Sequence, residues 1–198
     1  MVFIIDGSTS VGLDDFKLSL NFIISIVNQF PVTPLGVHVG VIVVQPSNQV
    51  VIELGLYKEK FTVNGAIRQI PYPNGDNSVG AALLKAKVLF ANSKRQVPKV
   101  LVVLLDNKAA DDLIKPAIEL NKIGVGVVPV GGSGDVDQTQ LNAITASPEN
   151  VVTTGSYGNL ISIVGTVISK INNRKLSTEC FWLTSRSRFY CKRSKMAF

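Results

Sequence analysis

Apolar and polar positions along this chain follow two alternating regimes. Short, mostly apolar runs at residues 2–5, 37–45, 50–54, 100–105, 125–130 and 151–153 are separated by turn-forming or charged residues. Such runs read as strands, most of them buried on both faces. Between them, apolar residues return every three or four positions, the period of one helix face. Phe16, Leu20, Ile23, Ile24 and Val27 mark a first helix, with Asp14 and Asp15 at its positive N-terminal end and Pro31 and Pro34 placed to stop it. Residues 58–69 predict a weaker helix. Val79, Leu83, Ala86 and Phe90 mark a third, and Leu113, Ala117 and Leu120 a fourth that Gly124 ends. Pro116 must sit in the first turn of that helix or kink it. Residues 138–146 predict a short helix and residues 160–171 a last amphipathic one. Pro46-Ser47-Asn48 reads as a turn and residues 71–75 as a loop.

Strands alternating with helices predict an α/β fold: a doubly wound, mostly parallel central sheet flanked by helices, Rossmann-like in plan. Ligands of such sheets gather at the carboxyl ends of the strands, where the strand order reverses. Three loops therefore matter most: the one after residue 5, the one before Val79 and the one after Leu105. They hold Asp6, Gly7, Ser8, Thr9 and Ser10; then Asp76, Asn77 and Ser78; then Asp106 and Asn107. Carboxylates, hydroxyls and amide oxygens without thiolate or imidazole form a hard-oxygen set, suited to Mg²⁺, Mn²⁺ or Ca²⁺ and not to Zn²⁺.

These segments resemble a known family. Asp6-x-Ser8-x-Ser10 after a first hydrophobic strand resembles the D-x-S-x-S signature of the metal-ion-dependent adhesion site of von Willebrand factor A domains, which include integrin I domains and the matrix A domains of collagen VI and matrilin type. The segment ending at Asp106-Asn107 resembles the family's central strand, which ends in T-D-G. Residues 119–132 and 141–152 resemble the elements that follow. The resemblance covers residues 1–171 and leaves 172–198 as a basic tail outside the domain. It implies a metal site of Asp6, Ser8 and Ser10 from the first loop and Asp106 from the third. The second loop supplies threonine in the family; counting back from Gly80 and Leu83 puts Asn77 there, and a shift of one residue puts Asp76 there. Leu105 and Asn107 also depart from the family's Thr and Gly. Gly7, Thr9, Ser78 and Asn107 are expected to form the rim that meets a ligand.

The function this resemblance implies is not enzymatic. It is an extracellular adhesion or matrix module that holds a protein ligand, collagen or another matrix protein, through an acidic group completing the shell of a bound Mg²⁺, with Mn²⁺ or Ca²⁺ as substitutes. The alternative is a metal-independent assembly module with a degenerate site, which could be intracellular. A metal-dependent hydrolase or phosphotransferase is a third reading, but no second aspartate follows two residues after Asp6 and no general acid or base is evident. His38, the sole histidine, lies mid-strand and suits no Ser-His-Asp or Cys-His arrangement. Gly131-Gly132-Ser133-Gly134 lacks the order of a phosphate-binding loop.

Composition narrows these readings little. With 46% hydrophobic and 17% charged residues the chain is of globular type. No apolar run approaches the roughly 20 residues of a membrane span, and the five-residue apolar start ended by Asp6 is too short for a signal-peptide core, so the chain is expected to begin inside a larger multidomain protein. The formal charge of +6 comes entirely from the tail, where seven basic residues face one acidic residue, Glu179. Phe181-Trp182 and Phe189-Tyr190 among these basic residues have the flavour of nucleic-acid-binding segments, but with no folded platform around them no nucleic-acid partner is expected. Cys180 and Cys191 also lie there, and two cysteines do not define a redox compartment.

Overall fold

The computed structural model describes residues 1–45 and 50–181, with side chains through residue 173. The turn expected at Pro46-Ser47-Asn48, the Cys180 side chain and the tail residues Trp182, Phe189, Tyr190 and Cys191 fall outside that range. Six strands, β1 (Val2–Asp6), β2 (Gly40–Val44), β3 (Val50–Ile52), β4 (Lys99–Leu105), β5 (Val125–Gly131) and β6 (Val152–Thr153), alternate with six α-helices. These are α1 (Gly12–Val27), α2 (Lys60–Arg68), α3 (Val79–Asn92), α4 (Ile114–Lys122), α5 (Gln138–Ala143) and α6 (Val164–Phe181). The sheet order is β3-β2-β1-β4-β5-β6. Every pairing is parallel except β2 with β3, which is antiparallel and carries a register shift between Val41 and Ile42.

The unbroken apolar runs have a simple cause. In β1, Phe3 and Ile5 pack into the core beneath α1, α2 and α6, while Val2 and Ile4 pack into the core beneath α3, α4 and α5. The period-2 alternation of a strand is present, but both faces are covered, so both sets are apolar. β4 repeats the pattern with Val102 and Leu104 on one side and Leu101, Val103 and Leu105 on the other.

Element boundaries agree with the sequence expectation at some ends and differ at others. β2 begins at Gly40 rather than at residue 37. α1 ends at Val27, ahead of Pro31, where α2 closes it: Lys60 Nζ donates to the Asn28 carbonyl (2.8 Å) and Asn64 Nδ2 to Asn28 Oδ1 (2.8 Å). Pro116 falls in the first turn of α4, where its missing N–H costs no helical bond. The last helix is entered through a 3-10 segment, Tyr157–Ile163, and runs on to Phe181, well past the buried anchors Val167 and Ile171.

Gly65 lies inside α2 at a negative φ, and a Cβ built there meets nothing within 4 Å. Gly65→Ala is therefore expected to raise stability by about 0.5–1 kcal/mol by narrowing the unfolded ensemble. Denaturant unfolding should show a higher midpoint with an unchanged slope.

Candidate metal centre

β1 and β4 are central neighbours in register, Ile5 opposite Leu104, so Asp6 and Asp106 stand at the carboxyl ends of adjacent strands. β1 has β2 on one side and β4 on the other, which makes this the point where the winding reverses. Both aspartates are buried, Asp6 to 1% exposure and Asp106 to 9%. Asp6 Oδ1 accepts the Ser8 N–H (2.9 Å), and Asp6 Oδ2 has no hydrogen-bond partner among the described residues. Burial pushes the Asp6 carboxyl above its ordinary range; hydrogen bonding from Ser8 and from the Asp106 backbone opposes this, and the negative charge of Asp106 adds to it. The Ser8 hydroxyl, on a buried residue, lies 3.0 Å from the hydroxyl of the exposed Ser10.

The first loop is zipped to the second. Gly75 N–H donates to the Gly7 carbonyl (3.2 Å) and Thr9 N–H to the Gly75 carbonyl (3.0 Å). The Thr9 hydroxyl also reaches the Gly75 carbonyl (3.3 Å). The loops approach so closely that a Cβ on Gly7 would stand 2.6 Å from Pro73 Cγ and 2.7 Å from Val43 Cγ1. Gly7, expected on the rim, is therefore buried beneath the second loop. Tyr72 fastens the same junction: its hydroxyl donates to the Ser8 carbonyl (2.9 Å), accepts from Gly12 N–H (3.2 Å), and its ring packs on Phe16 with centroids 5.3 Å apart.

The second loop is in turn tied to the third. Asn77 Nδ2 donates to Asn107 Oδ1 (2.8 Å) and to the Lys108 carbonyl (3.2 Å), and the Asn77 carbonyl accepts from Ala110 N–H (3.0 Å). Asn77 Oδ1 is buried and has no partner among the described residues. Asp111 receives Gly80 N–H (2.8 Å) and Ala81 N–H (2.9 Å), satisfying the first turn of α3 from across the cleft. Gln140 on α5 braces the third loop through both polar groups of the Ala109 backbone.

Asp6, Ser8, Ser10, Asn77 and Asp106 are thus drawn to one rim by interlocked loops. Asp76 is exposed, and among the described residues no three carboxylate, imidazole or thiol side chains gather, so Asp76 does not join Asp6 and Asp106 as a third carboxylate. Ser78 precedes α3 half-buried, and Asn107, expected on the rim, is engaged with Asn77. A cavity of about 340 Å³ lies at the opposite, amino edge of the sheet, lined by Met1, Val37, His38, Phe90, Val100 and Ile171, far from this chemistry.

Sequence reasoning missed Tyr72, Asp111, Gln140 and Tyr157. Asp111 lies about 30 residues from the helix it serves, and only the tertiary fold sets it against α3. Tyr157 opens the 3-10 segment, is 4% exposed, and presses its ring against Gly132, where a Cβ would come within 2.8 Å of Tyr157 Cζ. Gly132 N–H bonds the Leu105 carbonyl (2.9 Å), which places the phenol beside the end of β4. Its hydroxyl has no partner among the described residues, and burial, with the charges of Asp106, Asp6 and Asp15, holds its proton far more tightly than in an ordinary phenol. Removing an unsatisfied buried hydroxyl relieves a desolvation penalty. Tyr157→Phe is expected to stabilise the cation-free protein by about 1 kcal/mol, which thermal unfolding in chelator would register.

Known proteins carry the same architecture. The model of the von Willebrand factor type A domain matches residues 1–166. The collagen alpha-6(VI) chain of Mus musculus is 30% identical over 91% of this chain, the collagen alpha-1(XXI) chain of Homo sapiens 33% over 76%, and vitrin of Mus musculus 29% over 85%. The chain spans only 8%, 16% and 26% of those proteins' lengths, respectively. Among solved structures, proximal thread matrix protein 1 from the mussel byssus, with a zinc-occupied MIDAS motif, superposes with a TM-score of 0.80 at 20% identity, covering 86% of this chain and 47% of that one. Manganese-loaded TRAP protein from Plasmodium vivax superposes at 0.70 and 14% identity, covering 84% and 72%.

Fold and rim together define a doubly wound α/β domain with side-chain oxygens gathered at its switch point. The chain belongs to the von Willebrand factor type A domain family, and its matched relatives include collagen VI and vitrin chains.

Proposed function

We propose that this domain is a non-enzymatic adhesion module of the extracellular matrix, part of a larger multidomain chain, which captures an acidic side chain of a matrix protein such as collagen through a divalent cation. One observation carries the reading: two buried oxygens, Asp6 Oδ2 and Asn77 Oδ1, have no hydrogen-bond partner among the described residues, and they lie on two of the three interlocked loops. Buried polar atoms are as a rule satisfied in folded proteins, and two exceptions facing one rim call for an explanation that a bound ion supplies. Next to Asp106 and the Ser8 and Ser10 hydroxyls, a hard cation is the occupant that suits oxygen ligands alone. Asp6, Ser8, Ser10, Asn77 and Asp106 would hold it. Mg²⁺, Mn²⁺ and Ca²⁺ all suit such ligands, and a bound ion would keep waters in its shell, one of which a partner carboxylate would displace. With two carboxylates and no third from Asp76, the ion keeps its attraction for an acidic partner.

His38 lines the cavity at the other edge of the sheet, away from the rim. The mussel and Plasmodium proteins, loaded with zinc and manganese, support the cation reading by analogy of fold. The departures at Asn77, Leu105 and Asn107 favour the alternative, an assembly module that binds without metal. Surface-immobilised collagen separates the two: binding should vanish in chelator and return with Mg²⁺. Binding that persists in chelator, and in Asp6→Ala, would establish the metal-independent module instead.

A further inference from the structure

Two positions where this chain departs from its family's pattern are bonded to each other. Asn77 stands where the family places threonine, Asn107 where it places glycine, and Asn77 Nδ2 donates to Asn107 Oδ1 at 2.8 Å. A glycine at 107 would offer no such acceptor. The second amide proton goes to the Lys108 carbonyl at 3.2 Å. A carbonyl only accepts, so the nitrogen end of the Asn77 amide must face the third loop, and its oxygen must face the other way. That oxygen is the buried one without a partner. The Ala110 N–H bond to the Asn77 carbonyl (3.0 Å) fixes the backbone of the same residue. Asn77 is therefore held at three points with its one free acceptor turned away from all of them.

We infer that Asn107 is a positioning residue for Asn77, that the Asn77 amide oxygen is thereby made a direct ligand of the cation, and that the pair biases the site toward Ca²⁺ over Mg²⁺. The inference rests on the cation reading above. The chemistry behind the bias is that side-chain amide oxygens are regular Ca²⁺ ligands, whereas Mg²⁺ demands near-ideal octahedral geometry and gives up water reluctantly. A preset amide oxygen adds a protein ligand that Ca²⁺ accepts in flexible geometry and that Mg²⁺ replaces readily with water. Partners that orient a ligand are worth 10–100-fold in metal affinity in comparable sites, so about tenfold is expected here.

Calorimetric titration of the protein with CaCl₂ and with MgCl₂ tests this in the wild type, Asn107→Gly, Asn77→Thr and Asp6→Asn. Asn107→Gly should weaken Ca²⁺ by about tenfold and Mg²⁺ by much less, so that the ratio of the two affinities falls. Asn77→Thr should lower the same ratio. In NMR spectra of the wild type, the Asn77 side-chain amide should exchange slowly with solvent and shift on addition of Ca²⁺; in Asn107→Gly it should exchange faster. A purely structural role for Asn107 would lower stability and leave the Ca²⁺ to Mg²⁺ ratio alone, and that result overturns the inference. If Asp6→Asn abolishes binding while both asparagine variants match the wild type, the positioning pair is refuted and the metal centre stands. If Asp6→Asn binds as the wild type does, the metal centre itself is refuted.

Discussion

Asp6→Asn should abolish divalent-cation binding and at the same time make the cation-free protein more stable. The two effects have one origin. The Asp6 carboxylate is withdrawn from water, has one oxygen without a hydrogen-bond partner among the described residues, and stands beside the charge of Asp106, which together push its proton affinity up. Without a cation that arrangement is unfavourable, because a buried charge is tolerated only when compensated. Asparagine keeps the acceptor for Ser8 N–H, removes the repulsion, and offers an N–H where Oδ2 was. A gain of about 1–2 kcal/mol in chelator is expected, and a loss of at least about 100-fold in cation affinity. Thermal unfolding with and without Mg²⁺ reads both. A cation at 100 times its dissociation constant adds about 2.7 kcal/mol to the wild type and nothing to a variant that no longer binds it. Equal stabilisation of both proteins by the cation would contradict the assignment of Asp6.

The second large effect is expected at Gly80. A Cβ there would stand 2.2 Å from the Asp112 carbonyl oxygen and 3.0 Å from Asp111 Oδ2. The first obstacle is backbone, so it cannot swing aside as a side-chain end would. Gly80→Ala must push the third loop away from α3 and strain the bonds from Gly80 and Ala81 to Asp111. A cost of about 3 kcal/mol is expected, against the usual gain for alanine inside a helix. The Asn77–Asn107 contact spans the same gap, so cation affinity should fall along with stability. Chemical denaturation and calorimetric titration of one sample measure both; a variant as stable as the wild type would show that the third loop yields freely. The contrast with Gly65→Ala isolates packing from propensity, since both are helical glycines and only one has a wall against it.

The alternation of strands and helices was legible because the physics behind it is local. Buried strands need apolar residues on both faces, and helices announce themselves by period, so β1, β4 and the α1 and α3 faces stand out in sequence. Boundaries were less so. The bonds by which Lys60 and Asn64 close the end of α1 at Asn28 come from a segment distant in sequence, and no pattern near Pro31 could show them. Asp6, Ser8, Ser10 and Asp106 were readable as a set from strand ends and a short motif. The contrast between Asp76 and Asn77 was not, because exposure and bonding are set by tertiary contacts: Asp76 is exposed, and Asn77 makes three bonds to the third loop. Tyr72, Asp111 and Tyr157 were invisible for the same reason: their partners lie on other segments of the chain.

The outermost strands have a bearing on how the domain tolerates crowding. β3 has three residues and β6 two, and β3 runs against the others behind a register irregularity. A free strand edge is a template on which a neighbouring chain can grow a continuous sheet, and short, irregular edges blunt that growth. Copies brought to high local concentration therefore find only two- and three-residue edge strands on which to extend the sheet.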